Sequence, residues 1–182
     1  ASPDIHVDIF IVEPTAERNY YTLVTSGMGA HRMNVPKELA EYKLERAEIV
    51  VYLPADWNIS DHEEKNYWPL RWLKILARLP LEEDSWLGWG HSVPNGKPFA
   101  ENTQLSSVLL INPENVEEGA AVCQLPNGEE VNFYQMIPLY EEEVNFKIQN
   151  GAETLLGKMG EISAVVDIHR LNVCEGFGRP KE

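Results

Sequence analysis

The sequence predicts an α/β (α+β) fold, a mixed and largely antiparallel sheet of about five or six strands with two main helices packed on it. Three observations predict it. Short runs rich in β-branched and aromatic residues are bounded by turn residues. Two longer stretches repeat apolar residues at three- and four-residue steps, the period of one helix face. Asn127-Gly128 separates two apolar runs, which is the strongest short-range hairpin signal a sequence offers.

Taken in order, Ile5 to Val12 alternates and then becomes continuously apolar, so it reads as a strand passing from a half-covered to a covered position, with Ile5, Val7, Ile9 and Ile11 on one face. Glu13-Pro14-Thr15 ends it, and Tyr20 to Thr25 is a second strand. Ser26-Gly27-Met28-Gly29-Ala30 follows. It lacks the lysine and hydroxyl residues of a phosphate loop, so its glycines read as a bulge or sharp exit from a sheet. His31 to Asn34 then forms an exposed loop, and Pro36 to Ala40 starts a short helix. Ala47 to Leu53 is a central strand terminated by Pro54.

All five tryptophans fall between Trp57 and His91. Within that span Asn66 to Leu79 is an amphipathic helix: residues 68, 72, 75, 76 and 79 make its apolar stripe, and Arg71, Lys74 and Arg78 lie off it. Asn66 serves as N-cap, Pro69 sits in the first turn and Pro80 stops the helix. Beyond it, Trp86 and Trp89 alternate with Gly88 and Gly90. Two readings stay open for these tryptophans, core packing or exposed contact. Pro94 to Pro98 is a turn or loop, Ser107 to Ile111 a strand, and Ala120–Leu125 with Val131–Ile137 an antiparallel hairpin.

A second helix runs from Glu141 to about Met159, with Val144, Ile148, Ala152, Leu155 and Met159 at helical spacing. Glu141, Glu142 and Glu143 occupy its first turn, where the macrodipole favours negative charge on a solvated face. Gly151 interrupts it at a cost of ~1 kcal/mol relative to alanine, allowing a bend. Ile162 to Val173 is apolar enough to dock on the core, and the chain frays from Gly176.

The 182 residues suit one core and hence one domain, 1–182. Twenty-nine acidic residues against 15 basic ones give a net charge of −14, which argues against nucleic acid or anionic lipid as partner, since both demand a basic surface. No apolar run approaches a membrane span and no leader pattern precedes Ile5, so the expected location is the cytoplasm, with room for an upstream segment. Cys123 and Cys174 form neither a disulfide framework nor a zinc motif and read as buried or idle thiols. His6-Val7-Asp8 and Asp167-Ile168-His169 each place an imidazole and a carboxylate on one strand face. With His91 they define the rival reading, a metal-dependent hydrolase, although no HExxH or GxSxG motif is present.

Four stretches in this order, Leu23 to Met33 with its Ser-Gly-Met-Gly-Ala-His-Arg core, Glu48 to Trp57, Tyr67-Trp68-Pro69-Leu70 and Gly88-Trp89-Gly90-His91, resemble the suppressor-of-fused domain family in its bacterial form. The resemblance covers nearly the whole chain. It implies binding rather than catalysis, with no catalytic residues, metal or cofactor. The animal protein sequesters a transcription factor by clamping an extended segment as an added strand; the second domain that completes its clamp has no counterpart here. Bacterial relatives resemble immunity proteins that neutralise a toxin, often a nuclease or deaminase, and an acidic inhibitor would be steered towards such a basic partner. A scaffold that sequesters a regulatory protein differs only in its partner. The resemblance places the strand-exit loop near that clamp, and this loop, Gly27, Met28, His31, Arg32 and Met33, together with Trp86, Trp89 and His91, is the expected contact surface, since exposed aromatics and arginine dominate binding energy.

Overall fold

Alternation along the first apolar runs lets them pair as an antiparallel meander: β1 (Asp8–Val12), β2 (Tyr20–Ser26) and β3 (Arg46–Pro54), with Phe10 opposite Val24 and Leu23 opposite Val51. The computed structural model describes residues 5–161 and 164–179. After β3 come α1 (Glu64–Glu82), β4 (Ser92–Pro94), β5 (Ser107–Ile111), β6 (Val122–Gln124), β7 (Glu130–Leu139), α2 (Glu141–Asn150) and α3 (Ala152–Met159). Two short 3-10 turns, Met28–Ala30 and Lys37–Tyr42, lie between β2 and β3.

The sheet order is β1-β2-β3-β7-β5-β4, and β6 pairs with β7 beside it. Among the described strands only β3 and β7 run parallel, because a parallel pair needs a long crossover and the chain supplies α1 and three strands between them. The fold is therefore the mixed, mostly antiparallel sheet that the sequence implies, with seven strands among the described residues where five or six are expected. The added strand is β4, whose Ser92–Pro94 is too short to show alternation.

Period-two alternation divides the core between the two faces of the sheet. Ala47, Ile49, Val51 and Leu53 of β3, Val108 and Leu110 of β5, and Tyr134 and Met136 of β7 face α1, meeting Trp68, Trp72, Leu73 and Leu76. Trp68 stacks on Phe99 with ring centroids 4.6 Å apart. On the opposite face Leu109, Ile111 and Leu139 meet Val144, Leu155 and Met159 of α2 and α3. Burial on both faces explains why β3 and β5 read as continuous apolar runs.

Several sequence expectations are corrected by packing. β1 lies at the sheet edge, and its face holds only as far as Ile9; Phe10, Ile11 and Val12 are exposed because nothing in the sheet lies beyond them. α1 begins at Glu64, after Glu63 as N-cap, and continues past a buried Pro80 to Glu82. Asn66 instead donates its side-chain amide to Asp61 at 2.7 Å, and Pro69 lies inside the helix. Ile75 falls at the stripe's exposed margin while Leu73 and Ala77 are buried.

The expected second helix is two. Gly151, at φ 91 and ψ 157, breaks it, and Ile148 is exposed instead of lying on the apolar face. The Asn127-Gly128 hairpin is as expected: Leu125 N–H donates to the Glu129 carbonyl, and Cys123 pairs with Val131. Val166 and Cys174 dock in the core, as the apolar tail implies; Ile162 and Ser163 lie outside the described residues. The chain is tied beyond Gly176, since Phe177 meets Phe146 edge-on and Arg179 pairs with Glu142. Among the described residues no helix is long and apolar enough to cross a membrane.

Candidate functional site

The strand-exit loop is built around a buried carboxylate. Glu48 on β3 accepts hydrogen bonds from the Thr25 hydroxyl at 2.5 Å and from the N–H groups of Gly27 and Gly29, both at 2.9 Å. Thr25 Oγ1 in turn accepts the Ile49 N–H at 2.9 Å. Gly27 sits at φ 123, and a Cβ there would stand 2.1 Å from the His6 carbonyl oxygen, so only glycine fits. Two amides of the kind that cradle a phosphate are occupied by the protein's own Glu48, which gives the structural reading of these glycines its physical cause.

That lock turns inward much of what the sequence leaves on an exposed loop. Met28 and Met33 are buried in the core, and Met33 sulfur accepts the Leu87 N–H at 3.4 Å. Gly29 is buried and its carbonyl accepts from Arg46 at 2.9 Å. His31 is half-buried, whereas the Arg32 side chain is 64% exposed and pairs with Glu129 in the hairpin turn. Glu129 also accepts from Arg46 and Asn127. The Asn127 bond foremost, then the two guanidinium charges, hold its carboxyl below the usual range despite an opposing burial effect.

The tryptophan segment divides between the two faces of the sheet. Trp86 packs half-buried against the α1-side core and meets His91 edge-on, with centroids 4.4 Å apart. His91 Nδ1 accepts the Gly88 N–H at 3.2 Å, and burial, reinforced by the Lys147 charge, depresses its pKa. Trp89 is 39% exposed and lies on the other side, lining a cavity of about 360 Å3 with Ile111, Ile137, Leu156 and Met159. The loop and the segment touch through Asn34 N–H, which donates to the Ser85 carbonyl at 3.1 Å. Arg32 and Trp89 therefore belong to different patches, one at the hairpin turn and one over α3.

The rival histidine set is not assembled. His6 pairs with Asp8 at 3.2 Å on the surface, and the Asp167 carboxylate accepts the backbone N–H of His169. Among the described residues no three His, Cys, Asp or Glu side chains gather as a metal site. Cys123 is exposed, Cys174 is buried, and both are free.

Two features escape a reading of the sequence. Glu143 is completely buried, where the first turn of a helix implies a solvated face. It accepts both Nη atoms of Arg170 at 2.5 and 2.7 Å, the Tyr140 N–H at 2.9 Å and the Val173 N–H at 3.1 Å. Arg170 lies 27 positions away, so no local pattern announces the pair. The cavity beside Trp89 is equally silent, because its walls come from β5, β7, α3 and the tail.

The family model described as Suppressor of fused protein (SUFU) matches residues 3–171. An uncharacterised protein of Ureaplasma parvum is 28% identical over 167 residues, 91% of this chain and 78% of its own length. The crystal structure of a SUFU homologue from Neisseria gonorrhoeae aligns with a TM-score of 0.67 at 20% identity, over 94% of this chain and 80% of that one. A crystallised Sufu–Fu complex contains a chain that aligns at TM-score 0.63 and 14% identity, over 92% of this chain and 76% of that one. Drosophila Suppressor of Fused aligns at TM-score 0.63 and 15% identity, and this chain spans 42% of it. With the family model covering nearly its whole length and the fold shared with those structures, this chain belongs to the suppressor-of-fused family.

Proposed function

We propose that this chain is a non-enzymatic protein-binding domain, acting in the cytoplasm as an immunity protein that neutralises a basic toxin of nuclease or deaminase type. The net charge of −14 carries the choice of partner. An enzyme that holds phosphates presents a basic surface, and an acidic inhibitor gains on-rate and register from complementary charge. Support for binding over catalysis comes from how the buried polar groups are engaged. Glu48 holds a loop and Glu143 ties down the tail, while His91 anchors a turn.

A second reading, a scaffold for a regulatory protein, is favoured by the Sufu–Fu complex, in which a structural relative is bound to Fu. An affinity pull-down from the source cell's extract with this chain as bait separates the readings. Washing at about 50 mM and about 500 mM salt should retain one stoichiometric basic protein at low salt and release most of it at high salt. Retention independent of salt, or a partner that is not basic, overturns the toxin reading.

A further inference from the structure

The cavity over α3 has a definite chemical character. Its lining is mostly apolar, with Ile111, Ile137, Leu156 and Met159 beside Trp89, and its volume of about 360 Å3 falls in the range of pockets that enclose small ligands. Three charged residues border it: Glu114, Asp167 and Arg170. The Arg170 guanidinium is bonded to Glu143, and with both side chains nearly excluded from water their charges cancel. The exposed carboxylates of Glu114 and Asp167 remain, so the rim is negative.

The backbone that carries these two acidic residues is tied to the sheet. Glu114 N–H donates to Gln135 Oε1 at 2.9 Å, and its carbonyl accepts the Tyr52 hydroxyl at 2.7 Å. Asp167 accepts the His169 N–H at 3.0 Å, and the neighbouring Val166 N–H donates to the Tyr52 carbonyl at 2.9 Å. Both acidic segments are thus fastened to Tyr52 of β3. An apolar hollow with a part-exposed indole and two exposed acidic residues on its border selects an apolar group flanked by positive charge.

We propose that this cavity receives an apolar side chain flanked by lysine or arginine, presented by a segment of a protein partner. The occupant's source rests on the protein-binding reading above; the cavity's preference for apolar, cationic chemistry does not. Acidic segments are excluded by the same two carboxylates, and a neutral apolar segment binds through the interior alone.

The test uses the full chain, isotopically labelled, titrated with three blocked tripeptides: acetyl-Lys-Leu-Lys-amide, acetyl-Gln-Leu-Gln-amide and acetyl-Glu-Leu-Glu-amide. Amide shifts should centre on Ile111, Ile137, Leu156 and Met159, with the lysine peptide binding at least about ten-fold tighter than the glutamate peptide. In Glu114→Gln with Asp167→Asn, both exposed positions, that ratio should fall to within about two-fold. Trp89→Ala should weaken all three peptides, and Leu156→Trp, which fills the space, should abolish them if its amide spectrum remains folded. Equal affinities, the reverse order, shifts confined to other surfaces, or no shift up to about 10 mM peptide each overturn the proposal. Ordered peptide binding by a chain that captures no basic protein keeps the cavity site and sinks the toxin reading. Capture of that partner with unordered peptides does the opposite.

Discussion

Single residues in this chain derive their roles from contacts far along the sequence. Glu48 alternates correctly for a strand, yet its carboxylate points into the loop it organises and accepts two amides and a hydroxyl. Folding biases the charge state of His91. Burial and then the Lys147 charge disfavour its imidazolium in the folded protein, so its folded pKa lies below the ordinary value of 6.5. The unfolded chain consequently binds the proton first. The resulting contribution to stability is fully present above about pH 6.5 and is lost as pH falls towards the depressed folded value. Chemical denaturation between about pH 7.5 and pH 5 should show this decline, and His91→Gln should flatten it. An unchanged slope in that variant would assign the decline to other groups.

Among the elements, the α2–α3 junction gives a test whose sign decides between two structures. If Glu141 to Met159 were one helix, Gly151→Ala would stabilise it by about 1 kcal/mol. The junction instead places Gly151 at φ 91 and ψ 157, a region L-residues avoid. Alanine there should cost about 1–3 kcal/mol and lower the melting temperature. The periodicity of Val144, Ala152, Leu155 and Met159 was sound evidence for helix. It could not show the break, because two helices packed on the same sheet face keep the same apolar residues inward. β1 teaches the converse: alternation identified a strand, whereas its exposed Phe10 and Ile11 reflect an edge position that no local pattern encodes.

The whole molecule is closed by its tail. Residues 164–179 contribute Val166 to one core and Cys174 to the other, and Arg170 fastens this segment to Glu143. Replacing Arg170 by alanine leaves a carboxylate buried without its partner and should cost about 3–5 kcal/mol in urea unfolding. Arg170→Ala with Glu143→Met should recover part of that loss; no recovery would mean that the lost bonds to backbone dominate, those of Arg170 to the Pro138 and Leu171 carbonyls and those of Glu143 from the Tyr140 and Val173 N–H groups. The closing tail also forms one wall of the Trp89 cavity, so stability and the proposed binding site share a segment.

By itself the sequence determined the fold class, the hairpin at Asn127-Gly128, the central place of β3 and the family, because each rests on local periodicity or on short motifs in a fixed order. It also made the glycines at 27 and 29 structural by what they lacked. Tertiary structure alone decided that Met28 and Met33 face inward, that Arg32 and Trp89 occupy separate patches, and that Glu143 is buried. It alone created the cavity. The physical reason is common to all of these: burial and charge pairing depend on which distant segments meet, and Glu48 with Gly29 or Glu143 with Arg170 meet only after the sheet has assembled.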